Sequence, residues 1–384
     1  MRNLNVQSST LKIDTHENLA HAMVFTNPNT PFEFKDSFLP TLQEEEVLVK
    51  IEYTTICTSD LHTYFGRRTS PMPSILGHEI MGVIEAIGSG GKRDYSGKLL
   101  TIGDRITWMV YAFDPCCDNA QKGYPQKSEN LYKYGHQKIS ENDMLNGGFA
   151  SHCHLRKGTE LFLLPNDISN QVAAPINCTH ATISGAIRIS AKNPVNKTCL
   201  VVGAGMLGLS ACAQLKALGA SKIIVMDIDA ARLTYAKKFG ATHAILLDKS
   251  TGKITVGAEN FQGIDLAIET SGNPQTIELT LSGLAIGGVL TLVGSIFEQE
   301  DISINAETIV RNLLTIRGLH NYTPEDLKNA IDFIKKYHSA YPFHELVGAE
   351  FQLEDLTKAF EYAGNSDVFR VGVTQTSNKS LSNI

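Results

Sequence analysis

The sequence predicts an α/β fold in two parts: a doubly wound parallel sheet in the second half, preceded by a β-rich module of short strands. Three observations carry this. From Cys199 onward, short β-branched runs alternate with segments of helical period. A turn of the form G-x-G-x-x-G, Gly203 to Gly208, directly follows an apolar run. Before Gln171 the pattern is short strands broken by glycine and proline.

Each element has a local reason. Residues 1–21 are polar and read as a flexible extension. From Ala22 the runs VLVKIEYTTIC, IMGVIEAIG and GDRITWMV alternate as strands of a partly rolled sheet. Residues 114–146 are polar and irregular, and GGFASHCHL is strand-like before a turn at Pro165. Helical character runs from about Gln171 to Ile189. Cys199 to Val202 form the strand that enters the glycine turn. Leu207, Ala211, Leu215 and Leu218 then follow at helical spacing, and Gly219 stops the helix. The run Ile223–Val225 leads to Asp227. A helix over Ala230–Phe239, the strand 264–269, a turn over Thr270–Pro274, a helix over Gln275–Leu284, the strand 288–294 and a closing strand at 314–318 complete the alternation. Two further helix-like segments precede a polar tail, 376–384, expected to be disordered.

Composition bounds the function. The chain has 384 residues, 42% hydrophobic and 19% charged, with a formal net charge of -6. No basic stripe points to nucleic acid, and no apolar run reaches the roughly 18 residues of a spanning helix. The N-terminus lacks the apolar region of a signal peptide. Seven cysteines, an odd number in a long chain, suit reduced thiols and metal ligands. These features predict a cytoplasmic protein that binds neither nucleic acid nor membrane.

The glycine turn predicts a dinucleotide site. Gly203 allows the tight turn, Gly205 lets a pyrophosphate approach the backbone, and Gly208 lets helix and strand pack closely. The helix N-terminus, from Met206 and Leu207, offers free N–H groups to phosphate. Asp227, 19 residues after Gly208, stands where an acid accepts from a ribose 2′-OH and repels a 2′-phosphate. NAD is therefore expected over NADP.

Soft and borderline ligands occur in three turn-like places: Cys57, His78 and Cys178. Two cysteines and a histidine leave a fourth position open, as a catalytic zinc requires. Ser59 and His62 lie just past Cys57, where a hydroxyl and an imidazole could relay a proton.

The motifs Cys57-x-Ser59-Asp60-x-His62, LGHE at 76–79, GDRI at 103–106, Cys178 and GAGMLG resemble the zinc-dependent medium-chain alcohol dehydrogenases. The resemblance runs from about residue 22 to 375. It implies a GroES-like catalytic domain over 22–180, completed by 324–375, and a Rossmann domain over 181–323. It implies one zinc on Cys57, His78 and Cys178, with Glu79 either behind those ligands or a transient ligand itself, and Asp60 orienting His78. Ser59 would take the alcohol proton and His62 would carry it toward solvent. An alcohol releases hydride only after losing its O–H proton; zinc supplies the acidity and the nicotinamide takes the hydride. Arg232 would lie near the adenosine ribose and Arg370 would reach the pyrophosphate. Ser271, Val293 and Gly294 would lie along the nicotinamide half. Homodimers or homotetramers are usual for such enzymes.

Many relatives hold a structural zinc on C-x2-C-x2-C-x7-C. That spacing falls here on Asp114, Cys117, Ala120 and Ser128, so no second zinc is expected. The strings HTYFGRRTSPMPSILGHE, GYPQKSENLYKYGH, GGFASHCHL and AAPINCTHATISGAIR resemble a branch associated with phosphonate metabolism. The substrate would then be a small anionic alcohol or aldehyde, such as 2-hydroxyethylphosphonate and phosphonoacetaldehyde. Arg67 and Arg68 would form the guanidinium clamp, with Lys133 and His136 as further cations. The same machinery on a neutral alcohol, a polyol or a sugar phosphate is the alternative; a non-catalytic NAD-binding protein is the lesser one.

Overall fold

The computed structural model describes residues 19–249, 255–256 and 261–375. The expected tail lies outside them, as does the expected extension except for Leu19–His21, which open the strand Leu19–Val24. That strand pairs antiparallel with Glu33–Phe38.

The second half forms a seven-stranded sheet. Across it run Thr255–Val256, His243–Asp248, Lys222–Asp227, Thr198–Val202, Ile264–Glu269, Leu284–Leu292 and Thr315–Gly318. All but the first are parallel to their neighbours. The order reverses between Thr198–Val202 and Ile264–Glu269, the point where such sheets bind ligands beyond their strand ends. Cys199, Leu200 and Val201 are fully buried, as expected for a strand covered on both faces.

The first half rolls into an eight-stranded, mainly antiparallel sheet around Val47–Thr55, Glu79–Ile87 and Arg105–Ala112. The chain returns to finish it. Arg370–Thr374 pairs antiparallel with the Val47–Thr55 strand, and Val347–Gln352 adds outside it. The helices Pro324–Tyr337 and Leu356–Asn365 are the two helix-like segments read near the C-terminus.

Two expectations differ from what is found. The helix read over 171–189 is broken: Asn170–Ala173 is one short helix, Ala174–Asn177 a tighter turn, and Thr179–Ser190 the main helix. Pro175 disfavours helical geometry before it and lacks an N–H, and Cys178 sits at the break with φ -130° and ψ -74°. The strand read over 288–294 starts earlier, at Leu284, and the preceding helix ends at Gly283.

Candidate active site

Cys57 caps the helix Thr58–Tyr64, which follows the Val47–Thr55 strand. Asp60, three residues on, turns its carboxylate back to accept from the Cys57 N–H at 2.9 Å. The same carboxylate accepts from Gly77 N–H and stands 3.2 Å from His78 Nδ1. Gly77 takes φ +89°, and a Cβ there would meet Phe149 at 3.1 Å. Cys178 arrives from the break ahead of Thr179–Ser190. Its buried neighbour Asn177 accepts from Ile80 N–H and donates to the Trp108 carbonyl, tying the break to two strands of the first sheet.

The ligand atoms of Cys57, His78 and Cys178 lie within 4.8 Å of one another. Two sulfurs and a ring nitrogen at that spacing fit a zinc ion, with only small contraction to bond lengths of about 2.0–2.3 Å. With Nδ1 toward Asp60, His78 keeps Nε2 for the metal. The Cys57 thiol is held well below its usual range by a hydrogen bond from Cys178 and by the charges of Arg370 and His78, against burial. A thiolate is the form a metal binds.

Glu79 is fully buried behind this cluster. Arg370 Nε and Nη2 donate to its two oxygens at 2.7 and 2.8 Å, and Thr55 and Thr179 hydroxyls add to it. Arg370 Nη2 also stands 3.6 Å from Cys57 Sγ. Arg370, expected at the pyrophosphate, lines the cavity that reaches the glycine turn and at the same time pairs with Glu79 beside the three candidate metal ligands, where burial of both charges favours their pairing.

Ser59 Oγ stands 3.3 Å from His78 Nε2. Ser59 and His62 line a cavity of about 770 Å³ with the three ligands. Among the described residues His62 Nδ1 has no hydrogen-bond partner, and the ring packs against Phe297 at 5.0 Å, tilted by 51°. Burial and the charge of Arg67, with a smaller push from Arg68, lower its pKa, so the ring is neutral near pH 7.

The cavity continues to the glycine turn. Gly203 has φ +94°, a Cβ at Gly208 would strike the Gly203 carbonyl, and a Cβ at Gly205 would meet nothing closer than Arg232 Nη1 at 3.9 Å. Each glycine therefore meets the requirement read from its position: turn, close packing, open approach. Met206, Leu207, Ser271, Val293 and Gly294 also line the cavity. Asp227 ends its strand there and accepts from Ala204 and Asp229 N–H. Arg232 lines the same end, lies over Phe369 and stands 3.8 Å from Asp229. The open backbone and braced acid fit a dinucleotide.

The arginine pair does not converge. Arg68 lines the cavity, but Arg67 is exposed and lies over Phe65. Both N–H groups bond the His62 carbonyl in the turn after the helix, which sends adjacent side chains apart. Lys133 and His136 do reach the cavity. Two residues that the sequence reading missed join them. His320 lines the wall, and Lys127 Nζ donates to its Nδ1 at 2.7 Å. No short-range motif marks either, since they meet only when the two halves of the chain pack.

The four positions where a structural zinc would sit form a hydrogen-bonded turn. Cys117 Sγ stands 3.1 Å from Ser128 Oγ and accepts from Ala120 N–H, while Ser128 Oγ accepts from Asp114 N–H.

Comparison with known proteins agrees with this geometry. Residues 43–166 match the model of the alcohol dehydrogenase GroES-like domain, and residues 207–336 that of the zinc-binding dehydrogenases. A sorbitol dehydrogenase of Bacillus subtilis is 31% identical over 330 residues, covering 85% of this chain and 88% of its own length. An L-threonine 3-dehydrogenase of Idiomarina loihiensis is 26% identical over 327 residues, covering 84% and 90%. The crystal structure of an alcohol dehydrogenase from Thermotoga maritima superposes with a TM-score of 0.86 at 25% identity, covering 93% of this chain and all of that one. With zinc and NAD(P) as its cofactors, the chain is an oxidoreductase and belongs to the zinc-dependent medium-chain alcohol dehydrogenase family.

Proposed function

We propose that this enzyme interconverts a small alcohol and its aldehyde with NAD(H), and that the substrate carries an acidic group, with a phosphonate such as 2-hydroxyethylphosphonate or phosphonoacetaldehyde as the leading class. The observation that carries this is the charge at the zinc end of the cavity. Arg68 and Lys133 line it, with Lys127 behind His320; His136 and His320 line it as neutral imidazoles, since burial and the neighbouring cations push their pKa values down, His320 to about 4. Among the described residues, none of Arg68, Lys127 and Lys133 pairs with a carboxylate. Burial and the charges of Arg68 and Lys127 push Lys133 down to about 8. Unpaired cations held close together are costly unless an anion joins them.

The other roles follow from placement. Ser59 takes the proton from the substrate oxygen and His62 carries it toward solvent. Asp227 accepts from the adenosine ribose, which favours NAD over NADP. Arg232 stands close to the same ribose. Arg370 holds Glu79 in place. Assembly as a homodimer or homotetramer through the exposed end of the Thr315–Gly318 edge strand, and a cytoplasmic setting for seven unpaired cysteines, complete the reading. Among the described residues no helix is long and apolar enough to cross a membrane.

A second reading is a polyol, favoured by the similarity to sorbitol dehydrogenase. NADH oxidation with phosphonoacetaldehyde, beside a neutral aldehyde of similar size, separates the two. Strong preference for the phosphonate, reduced about tenfold or more in kcat/KM by Arg68→Ala or Lys133→Ala, is the expected result. Equal rates on both aldehydes, with D-sorbitol oxidised well, would leave the polyol reading.

A further inference from the structure

Glu269 ends the fourth parallel strand of the nucleotide-binding sheet and is fully buried. Its carboxylate has no cationic partner among the described residues. The turn that follows satisfies it instead. Oε1 accepts from Ser271 N–H at 2.7 Å, from Gly272 N–H at 2.9 Å and from the Ser271 hydroxyl. The Glu269 carbonyl accepts from Val293 N–H at 2.9 Å and Gly294 N–H at 3.1 Å. One residue therefore fastens both turns at this end of the sheet.

Those turns press directly on each other and on the glycine turn. A Cβ at Gly294 would stand 2.3 Å from Gly272 N, and one at Gly272, which has φ +71°, 2.6 Å from Gly294 O. A Cβ at Gly203 would stand 2.8 Å from Thr270 Oγ1. Thr270, Ser271, Val293 and Gly294 all line the cavity between the glycine turn and the zinc ligands. Burial raises the pKa of Glu269, and the hydrogen bonds from Ser271, Gly272 and Gly294 oppose that rise. A negative charge fixed without a counter-cation acts on whatever charge the cavity admits.

We propose that Glu269 is a positioning residue for the nicotinamide end of the cofactor, and that its buried charge favours the oxidised cofactor, whose ring is cationic, over the reduced one. This rests on the NAD(H) reading and is independent of the substrate. The charge acts across the turn it holds, so its removal should weaken NAD+ more than NADH.

The test is direct binding of each cofactor to the zinc-loaded protein without substrate, by NADH fluorescence and by NAD+ competition. Glu269→Gln should raise the ratio Kd(NAD+)/Kd(NADH) about three- to tenfold. Glu269→Asp, which keeps the charge but shortens its reach, should weaken both forms and leave the ratio near wild type. Ser271→Ala, which removes one donor without touching the charge, should weaken both forms by the same factor. It keeps the proposal testable should Glu269→Gln not fold, since an unchanged affinity in Ser271→Ala overturns the positioning role. Equal weakening of both forms in Glu269→Gln overturns the charge role. If wild-type protein binds neither cofactor, it is the NAD(H) reading that fails.

Discussion

The ligand pocket at Cys57, His78 and Cys178 and the turn at Asp114–Ser128 show two ways of closing a loop. In the pocket, three soft ligands come from distant segments, each held by a dedicated partner: Asp60 for Cys57 and His78, Asn177 for the approach to Cys178. In the turn, a thiol, a hydroxyl and backbone amides close over neighbouring residues. Loop-closure entropy explains part of the contrast. The ends of the pocket lie about three doublings further apart along the chain, at ~0.6 kcal/mol each. A short loop can be held by hydrogen bonds of about 1 kcal/mol, whereas a long one gains more from a metal cross-link.

Removing a ligand breaks the comparison most sharply. Cys178→Ser should release zinc and lower kcat/KM on the order of a thousandfold, with zinc content measured on the same sample. A variant that keeps both zinc and rate would mean Cys178 is packing alone. Asp60→Asn should act through the histidine and the cap, lowering zinc affinity or activity about 10- to 100-fold in competition with a chelator. Retained zinc affinity and rate would show that Asp60 orients nothing that matters to the metal.

The next effect concerns protons. In the proposed relay His62 must be neutral to accept one, so alcohol oxidation should fall as pH drops through its pKa. Arg67 helps hold that pKa down. Arg67→Ala should therefore move the acid limb of kcat to higher pH, and an unmoved limb would remove His62 from the relay. Lys133 acts in the opposite sense, since it is charged below about 8 and neutral above. KM for an anionic substrate should rise as pH passes that point, and should not in Lys133→Ala. The smallest effect belongs to the turn. Ser128→Ala should cost ~1 kcal/mol in denaturant unfolding and leave zinc content unchanged. Lost zinc there would mean the two regions are coupled.

Much of this was legible in the sequence because it is local. Cys57, Asp60 and His62 share one short helix, and Gly203, Gly205 and Gly208 one turn, so spacing alone fixes their relation. Asp227 was readable because it ends the next β-branched run, 19 residues after Gly208. What the sequence hid depends on packing between distant segments. Arg370 meets Glu79 only once distant strands join one sheet, and Lys127 meets His320 only once the two halves of the chain pack. The Arg67–Arg68 clamp was overread for the converse reason: adjacency in sequence is not convergence in space. Glu269 escaped notice because a strand-end carboxylate ordinarily faces water, and nothing local says that this one is buried.

The late arrival of Arg370 has a consequence for biogenesis. On a ribosome, the three ligand side chains and Glu79 emerge long before the guanidinium that neutralises that carboxylate. Until the final strand docks beside Val47–Thr55, the nascent pocket carries an uncompensated acid beside its thiols. Closure of the first sheet, and with it the Glu79–Arg370 pair, therefore waits on a strand made long after the cysteines, and a chain stalled before it exposes those thiols beside an unpaired acid.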